Sequence, residues 1–334
     1  MDFRRKLSWL LVGGSLLFHL ATVFCFARQP DRLAAFTAFP LWFWGGLGLG
    51  LSSLAFFVFR ARLSLIVTAI WAVTILVGSD EARVVGNLGK GPPRPGPAAP
   101  HHGRSVLRVV TLNCSHFAYG DPATDLAQWQ PDIVLLQEVF PHQVRQIADV
   151  LYQRRGDYRS HQSNGIVTRW RFHREILTPS MCNQQGTILL PNGNKIEVVN
   201  IHLTSAATDL RLWQPAAWRT HHSHRYLRRQ ELGVVLQILE QETHLPDTPT
   251  LLGGDFNSGA ADPVHRLLSG DFTDAFIAAG TGWGDTFQRR VPILRIDHLY
   301  ANHHFTPIRC RAVTTPRSDH RMVVADFLTE VIAR

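Results

Sequence analysis

The sequence contains few cysteines. Four occur in 334 residues, and no two of them form a CxxC pair or any other metal-ligand spacing, which excludes a zinc site built on thiolates. Cys25 lies in an apolar run. The other three are an odd number and cannot all pair within one chain, so we expect buried thiols and leave open a disulfide between two of them: Cys114, Cys182 and Cys310.

The sequence also lacks an evenly distributed positive charge and an internal repeat. Ten of its 34 basic residues but only four of its 26 acidic residues lie in residues 1–100, which therefore carry +6 of the formal net charge of +8. The remainder is nearly balanced. The basic composition is thus largely a property of the N-terminal region, and net charge is weak support for nucleic-acid binding.

Long apolar runs occur only near the N-terminus. Leu7 to Phe26 is 20 residues without a formal charge, long enough to cross a bilayer core. Two further runs follow it. We predict a membrane anchor over residues 1–83 with three transmembrane helices at about 7–26, 36–59 and 62–79. A cleaved signal peptide is the alternative for the first run.

The basic residues between these runs predict an orientation. Arg4, Arg5 and Lys6 lie on the same side as Arg60 and Arg62 if the second and third helices form a hairpin, and that side is expected to be cytoplasmic. Three crossings then place the remaining chain outside the cytoplasm. We therefore expect a multi-pass protein of the inner or plasma membrane. Residues 84–104 are rich in Pro and Gly, which predicts a linker that holds a soluble domain away from the membrane.

From residue 105 onward, short β runs alternate with helical ones. Asn192-Gly193 is a hairpin signal between two of the strands. About nine strands and few helices predict an α+β fold in which two packed sheets carry helices on their outer faces. We predict strands at 106–112, 132–137, 165–168, 186–190, 195–202, 249–254, 295–300, 307–313 and 322–328, and helices at 122–129, 141–153, 222–243 and 262–269.

Polar side chains cluster where the predicted strands end. Thr250 to Ser258 runs from an apolar strand through two glycines to Asp255 and Asn257, which share one face because side chains two apart on an extended chain point the same way. Other strand-like runs end likewise, and Ser318-Asp319-His320 precedes the last one. This pattern predicts one shared metal and phosphate site at the rim of a sheet.

These strand ends resemble the endonuclease/exonuclease/phosphatase superfamily over residues 105–330. The motifs occur in the family's order: Leu112-Asn113, Leu136-Gln137-Glu138, Asn200-Ile201-His202-Leu203, Gly254-Asp255-Phe256-Asn257, Ile296-Asp297-His298 and Ser318-Asp319-His320. The resemblance implies a four-layer α/β/β/α sandwich, a catalytic domain over residues 105–334, and hydrolysis of phosphate esters with a divalent metal.

The resemblance also implies the metal ligands. Glu138 and Asn113 offer hard oxygen ligands of the kind that Mg²⁺ or Mn²⁺ prefers. The corresponding positions hold the metal in the family, and Asp319 is expected to contribute. No further cofactor is implied.

Five further residues are implied to act on the phosphate and the attacking water. His320 is expected to contact the scissile phosphate while Asp297 fixes its tautomer. Asp255 and Asn257 would orient the water and the phosphate, and His202 would be a second phosphate donor or a general acid. The general base remains open between Asp255 and the His320–Asp297 pair.

Three positions limit this interpretation. His298 should point away from Asp297 and is interpreted as structural. Family members that cut DNA at abasic sites have an acidic residue two positions after the motif asparagine, where this chain has Ser115. Met322 replaces a proline that is frequent after the last motif, which should alter only local packing.

The substrate is indicated by the anchor and by one aromatic and basic stretch. Trp213, Trp218 and neighbouring Arg and His residues suit a phosphorylated partner or a membrane interface, although they would equally suit a solvated loop. We expect a membrane-anchored phosphatase or phosphodiesterase acting outside the cytoplasm, with a lipid-linked phosphate favoured over nucleic acid. An extracytoplasmic Mg²⁺-dependent nuclease and a catalytically inactive binding module are the alternatives.

Overall fold

The computed structural model describes residues 3–60, 62–102, 104–176, 183–205, 209–243, 245 and 247–331. Helices precede a domain made of two sheets. The helices are α1 Phe3–Arg28, α2 Ala34–Ala38, α3 Leu41–Phe59, α4 Leu63–Gly78, α5 Asp80–Arg83, α6 Ala123–Ala127, α7 Pro141–Tyr152, α8 Pro215–Thr243 and α9 Ala275–Ala279. The strands are β1 Val106–Asn113, β2 Ile133–Gln137, β3 Asp157–His161, β4 Asn164–Thr168, β5 Arg171–Ile176, β6 Asn183–Leu189, β7 Lys195–His202, β8 Thr250–Asp255, β9 Thr273–Asp274, β10 Asp297–Ala301, β11 Phe305–Thr314 and β12 Arg321–Thr329.

Two N-terminal helices are long and apolar enough to cross a membrane, over Lys6–Arg28 and Leu41–Val58. A third span is present if Leu63–Gly78 is counted together with Asp80–Asn87, which is bent from it by 72°. The helix predicted at 36–59 is broken, because Pro40 keeps Phe39 extended at φ −76° and ψ 144°. These apolar helices indicate membrane association.

The two sheets each contain six strands, in the orders β11-β12-β1-β2-β4-β3 and β5-β6-β7-β8-β10-β9. Both are mixed, since β1 pairs with β2 and β7 with β8 in parallel while their other neighbours are antiparallel. Buried side chains from both sheets form one core, among them Val109, Leu135, Val198, Leu251 and Leu299. The sheets therefore pack face to face.

Helices cover the outer faces. The outer face of the first sheet packs against Leu126 of α6 and Ile147 of α7, and that of the second sheet packs against Leu232 and Leu239 of α8. This arrangement confirms the predicted four-layer sandwich.

Several predicted elements differ from the structure. The helix predicted at 262–269 is a short 3-10 turn, Pro263–Leu267, and the helix predicted from residue 222 begins at Pro215. Strands β3, β5 and β9 were not predicted, because their sequences are short or polar and lack an apolar alternation. Cys25, Cys114 and Cys310 are free, and Cys182 lies outside the described residues.

The segment rich in Pro and Gly is packed along the two-sheet domain. Val84 belongs to the core between the sheets, and Asn87 donates a hydrogen bond to the Ile277 carbonyl at 3.1 Å. The Gly96 amide bonds to the Gln128 carbonyl at 2.7 Å. The segment expected to be a linker therefore contacts the domain at Val84, Asn87 and Gly96.

A buried ion pair fixes the same segment to the first sheet. Arg108 bonds through Nε and Nη2 to the two oxygens of Asp326, at 2.6 and 3.0 Å, and both side chains are almost fully buried. Its Nη1 donates to the carbonyls of Arg94, Gly96 and Trp129. The guanidinium thus satisfies one carboxylate and three backbone acceptors at once.

Candidate active site

The site lies at one edge of the sandwich, where the parallel strands of both sheets end. Asn113 is the last residue of β1 and Glu138 follows β2, while His202 and Asp255 end β7 and β8. Asp297 begins β10, which is antiparallel to β8 and pairs Asp297 with Asp255. His320 immediately precedes β12, which runs antiparallel to β1, so its side chain reaches the same edge.

Gly254 allows β7 and β8 to lie this close. Its φ is +138°, and a Cβ at this position would be 1.9 Å from the carbonyl oxygen of Ile201 on the neighbouring strand. Only glycine fits such an approach. The register that follows from it pairs His202 with Asp255.

Asn113 joins two carboxylates. Its Nδ2 donates to Glu138 Oε1 at 3.1 Å and to Asp255 Oδ2 at 3.0 Å. Its Oδ1 accepts a hydrogen bond from the Ser115 amide at 2.9 Å. Asn113 therefore turns its amide nitrogen toward the carboxylates. The oxygen that is expected to bind a metal already accepts the hydrogen bond from the Ser115 backbone amide.

His320 and Asp297 form a buried pair. His320 Nδ1 lies 2.9 Å from Asp297 Oδ2, and His320 Nε2 lies 4.0 Å from Asp255 Oδ2. Burial alone would lower the pKa of His320, but Asp297, and then Asp255 and Asp319, raise it to about 10. Burial and the neighbouring Asp297 raise the pKa of Asp255.

Asn257 and two histidines complete the edge. The backbone amide of Asn257 donates to Asp255 Oδ1 at 2.8 Å, and the side-chain Nδ2 of Asn257 donates to the Leu203 carbonyl at 2.9 Å. His202 Nε2 lies 3.8 Å from Glu138 Oε1. His116 Nε2 lies 3.9 Å from Glu138 Oε2, although no motif had indicated this histidine.

Asp319 is joined to the site through Ser115. The Ser115 hydroxyl donates to Asp319 Oδ1 and lies 3.1 Å from the hydroxyl of Ser318. Ser318 in turn donates to the Asn113 carbonyl at 2.6 Å and accepts from the His320 amide at 2.9 Å. Ser115 thus holds the Ser318-Asp319-His320 motif against the end of β1. An ionised acidic side chain at this position would have no hydrogen atom to donate to Asp319.

Two buried amides beneath the site connect the sheets. Gln137 donates to Asn200 Oδ1 at 2.6 Å, and Asn200 Nδ2 donates to the carbonyls of Leu136 and Gly165 at 2.8 and 3.0 Å. Sequence reasoning assigned no role to either amide, although both stand in the motifs. They fix the distance between the two halves of the site.

His298 faces away from this edge, as predicted. Its Nε2 lies 3.2 Å from the Ser258 carbonyl and 3.0 Å from the Arg295 carbonyl, and its Nδ1 contacts Arg295 and Asp274. These contacts account for His298 as a structural residue.

The buried residues fit a divalent cation. Asp255, Asp297 and His320 present ligand atoms that all lie within 4.8 Å of one another. Asp297 Oδ1 is buried and has no hydrogen-bond partner, which leaves a carboxylate oxygen unsatisfied. Two carboxylates and one imidazole are side chains that can bind a divalent cation. This group differs from the predicted set of Asn113, Glu138 and Asp319, which adjoins it through Asn113.

The family is shown by comparison with protein-family models. Residues 110–320 match the model described as "Endonuclease/Exonuclease/phosphatase family". This chain belongs to that family. Members of the endonuclease/exonuclease/phosphatase family are phosphoesterase hydrolases, and the matched residues include every predicted site residue from Asn113 to His320. Among curated proteins, none matches the chain closely enough to count as a relative.

Solved structures show the same fold at low sequence identity. A humanized D. rerio TDP2 carrying 14 mutations is 19% identical and has a TM-score of 0.51, over 67% of this chain and 99% of that one. A mannosyl-6-phosphatase from Bacteroides thetaiotaomicron is 17% identical with a TM-score of 0.52, over 66% of this chain and 99% of that one. A Bacteroides vulgatus family member is 16% identical with a TM-score of 0.52, over 68% and 100%.

Proposed function

We propose that the protein is a membrane-anchored, divalent-metal-dependent phosphoesterase that hydrolyses a phosphate ester outside the cytoplasm, with a lipid-linked phosphate as the favoured substrate. The observation that carries this proposal is the convergence of Asn113, Glu138, Asp255, Asp297 and His320 at one edge of the two sheets. Phosphoester hydrolysis needs charge neutralisation on the phosphoryl oxygens, an oriented water and a stabilised leaving oxygen.

Glu138 and Asn113, with Asp319, are the residues we propose to hold the cation, and Asp255 shares the Asn113 amide with Glu138. A bound cation would supply positive charge to the phosphoryl oxygens. The buried group of Asp255, Asp297 and His320 is the second place that could hold one. Separate substitutions at Glu138 and Asp297 distinguish these two placements by metal affinity.

The remaining residues are proposed to handle the water and the phosphate. Asp255 is fixed through both oxygens, by the Asn257 amide and by Asn113, so it is oriented to bind and deprotonate the attacking water. Asp297 holds His320 Nδ1 and leaves Nε2 directed toward Asp255. His320 and His202 then donate to phosphoryl oxygens or to the leaving oxygen.

A substrate in the membrane is supported by contacts between the domain and the N-terminal helices. Arg225 Nη2 bonds to Thr37 Oγ1 at 2.5 Å, and Arg229 pairs with Asp31 at 2.7 Å. Trp213 is 78% exposed near the start of α8, as an aromatic side chain at a lipid interface would be. The domain is thus bonded to the segment that connects α1 and α3, the two candidate membrane spans.

The orientation rests on the loop charges and three crossings. Cysteine-labelling of the full chain in intact cells tests it, with single cysteines introduced at exposed positions of the domain. Labelling by an impermeant reagent supports the proposed side, whereas labelling only after lysis contradicts it.

The activity is tested with the purified full chain in detergent. Lipid phosphates, soluble phosphomonoesters and diesters, and supercoiled plasmid are each incubated with Mg²⁺, with Mn²⁺ and with EDTA. We expect metal-dependent hydrolysis of a lipid-linked phosphate that is lost in Asp255→Asn and His320→Ala. Nicking of the plasmid without phosphate release would instead favour the nuclease, and inactivity on every substrate would favour a binding module.

A further inference from the structure

A loop at residues 283–293 connects the two-sheet domain to the start of α3. The ring centroids of Trp283 and Trp42 lie 5.3 Å apart, with an interplanar angle of 64°. At the other end of the loop, Ile293 lines a cavity of about 380 Å³ together with Phe39 and Leu41. Both ends of the loop therefore lie close to the point where the second candidate membrane span begins.

The start of α3 carries a cluster of aromatic side chains. The rings of Phe36 and Trp44 stack with their centroids 4.1 Å apart. Phe43 lies 5.1 Å from Trp44 and 6.3 Å from Trp42, again between ring centroids. Aromatic residues, Trp and Tyr above all, are enriched at the membrane–water interfaces of proteins that cross a bilayer. Because the apolar span begins within this cluster, the cluster marks the level of one interface, and Trp283 lies beside it.

The tip of the loop is exposed, apolar and basic. Trp283 is 43% exposed although it contacts α3, and Val291 is 72% exposed. Trp283 Nε1 donates to the Pro292 carbonyl at 2.9 Å, so Val291, the preceding residue, is held near this ring. Arg290 is exposed and makes no ion pair among the described residues, and residues 286–296 contain no acidic side chain. Exposed apolar groups beside an unpaired cation fit the headgroup region of a bilayer, where phosphates adjoin hydrocarbon.

A second segment lies at the same level. The short helical segment Asp80–Asn87 follows α4 and is bent from it by 72°. A bend of this size turns a helix that crosses a bilayer into one that runs along its surface. Val85 and Leu88 project exposed apolar side chains from this region, as interfacial segments do. The segment is also fixed to the domain near the loop, since Arg295 Nη2 donates to Asp80 Oδ2 at 2.8 Å.

We propose that the loop at residues 283–293 inserts into the headgroup region of the phospholipid bilayer that α3 crosses. Trp283 and Val291 lie at the depth of the aromatic cluster of α3, and Arg290 faces the lipid phosphates. The partner is thus the bilayer surface itself. The proposal rests on the membrane anchor of the proposed function but is independent of the reaction.

The loop also joins this surface to the edge of the candidate active site. The ring centroids of Phe287 and His320 lie 5.0 Å apart, and the backbones of the two residues form a β-bridge. The Arg289 amide donates to the Asp319 carbonyl at 2.8 Å. Insertion of the loop therefore holds His320 close to the bilayer surface. This position suits a phosphate that stays attached to a membrane lipid while it reacts.

Other occupants fit this surface less well. A twofold dimer formed through the loop would bring the same surface of both copies together, and the unpaired Arg290 side chains would repel each other. A soluble acidic protein would pair with Arg290, but it would have to enter the headgroup layer to cover Trp283 beside α3.

Photocrosslinking of the full chain in phospholipid nanodiscs tests the proposal. The photoreactive residue p-benzoylphenylalanine replaces one exposed apolar side chain at a time, and mass spectrometry identifies the adducts. The three positions are Val291 in the loop, Leu47 within the candidate span of α3, and Val150 on α7 at the outer face of the first sheet. We expect phospholipid adducts at Val291 and Leu47 and their absence at Val150.

Bromolipid quenching gives a second measurement without a foreign residue. Nanodiscs are made with a lipid that is brominated in the upper part of its acyl chains, where it quenches nearby tryptophans. Trp283→Phe should lose part of the quenched emission. The matched control Trp170→Phe should lose none of it, because Trp170 packs against the core between the sheets.

The outcomes separate the loop from the anchor. Lipid adducts at Leu47 without adducts at Val291 overturn the loop proposal and leave the membrane anchor in place. Quenching that is unchanged in Trp283→Phe overturns the loop proposal as well. The absence of lipid adducts at both Leu47 and Val291 overturns the anchor and the loop proposal together, and a crosslink from Val291 to a second copy of the chain would show a dimer surface instead.

Discussion

Replacing Asp297 by Asn removes the carboxylate that orients His320. The residue is 1% exposed and accepts from His320 Nδ1 at 2.9 Å, so the bond is charge-assisted and shielded from water. Such bonds contribute roughly 1.5–3 kcal/mol, which corresponds to about 10- to 150-fold in rate if the bond supports the transition state. An asparagine can also present its NH₂ group to Nδ1 and thereby favour the wrong tautomer. We expect turnover to fall about a hundredfold.

The same substitution should change the protonation of His320. Asp297 is the strongest of the groups that raise the pKa of this imidazole, so the pKa falls in Asp297→Asn. Nitrogen-15 NMR of the imidazole in the metal-free protein measures that pKa directly. A purely structural role for Asp297 would lower stability without this shift.

The assay compares kcat and KM for one phosphate ester at saturating Mg²⁺. Asp271→Asn is the control, because it removes an exposed carboxylate that is not part of the site. The reasoning is refuted if Asp297→Asn keeps wild-type kcat together with an unchanged His320 pKa. A loss confined to KM would show that Asp297 acts only in binding.

Three further results follow from the geometry. Gly254→Ala places a Cβ 1.9 Å from a backbone oxygen and should cost about 3–5 kcal/mol, seen as a lower Tm, whereas Gly233→Ala, where nothing lies within 4 Å, should not lower it. The pKa of His320 is raised from its ordinary 6.5 to about 10, so its protonation stabilises the metal-free fold fully below pH 6.5 and less and less as the pH rises toward 10. This contribution is absent in His320→Asn, and chemical unfolding of both proteins across this pH range measures it. A difference in unfolding free energy that does not change with pH would contradict it. Arg108→Met leaves the buried Asp326 with only the longer contact to Arg309, at 3.6 Å, and should cost about 3 kcal/mol. If Tm is unchanged, the pair of Arg108 and Asp326 does not have this role.

The sequence predicted the strand ends well because burial imposes a simple pattern there. β7 was predicted at both of its ends, and β8 within one residue at each. Most of their side chains are buried, and each strand has an apolar pair, Val198-Val199 or Leu251-Leu252, before a polar last residue. The two glycines before Asp255 were visible as a signal, and the structure shows that Gly254 is required for strand approach. The tips then converge because parallel strands end at the same edge.

The features that the sequence did not predict depend on contacts that its periodicity does not encode. The direction of the Asn113 amide is decided by the Ser115 backbone, which follows β1 with φ +47°. His116 reaches Glu138 through the same turn. The bond from Arg225 to Thr37 joins residues 188 positions apart, and no local pattern indicates such a partner. Polar edge strands such as β3 were missed for lack of an apolar face.

The most direct test of the central claim is metal-dependent hydrolysis at the edge that holds Glu138 and Asp255. The full chain is assayed for phosphate release with and without Mg²⁺, beside Glu138→Gln, while Mg²⁺ affinity is measured by calorimetry. The account predicts activity that EDTA abolishes and that falls at least about a hundredfold in the variant, together with weaker metal binding. Equal activity of wild type and Glu138→Gln, or activity that is unaffected by EDTA, would contradict it.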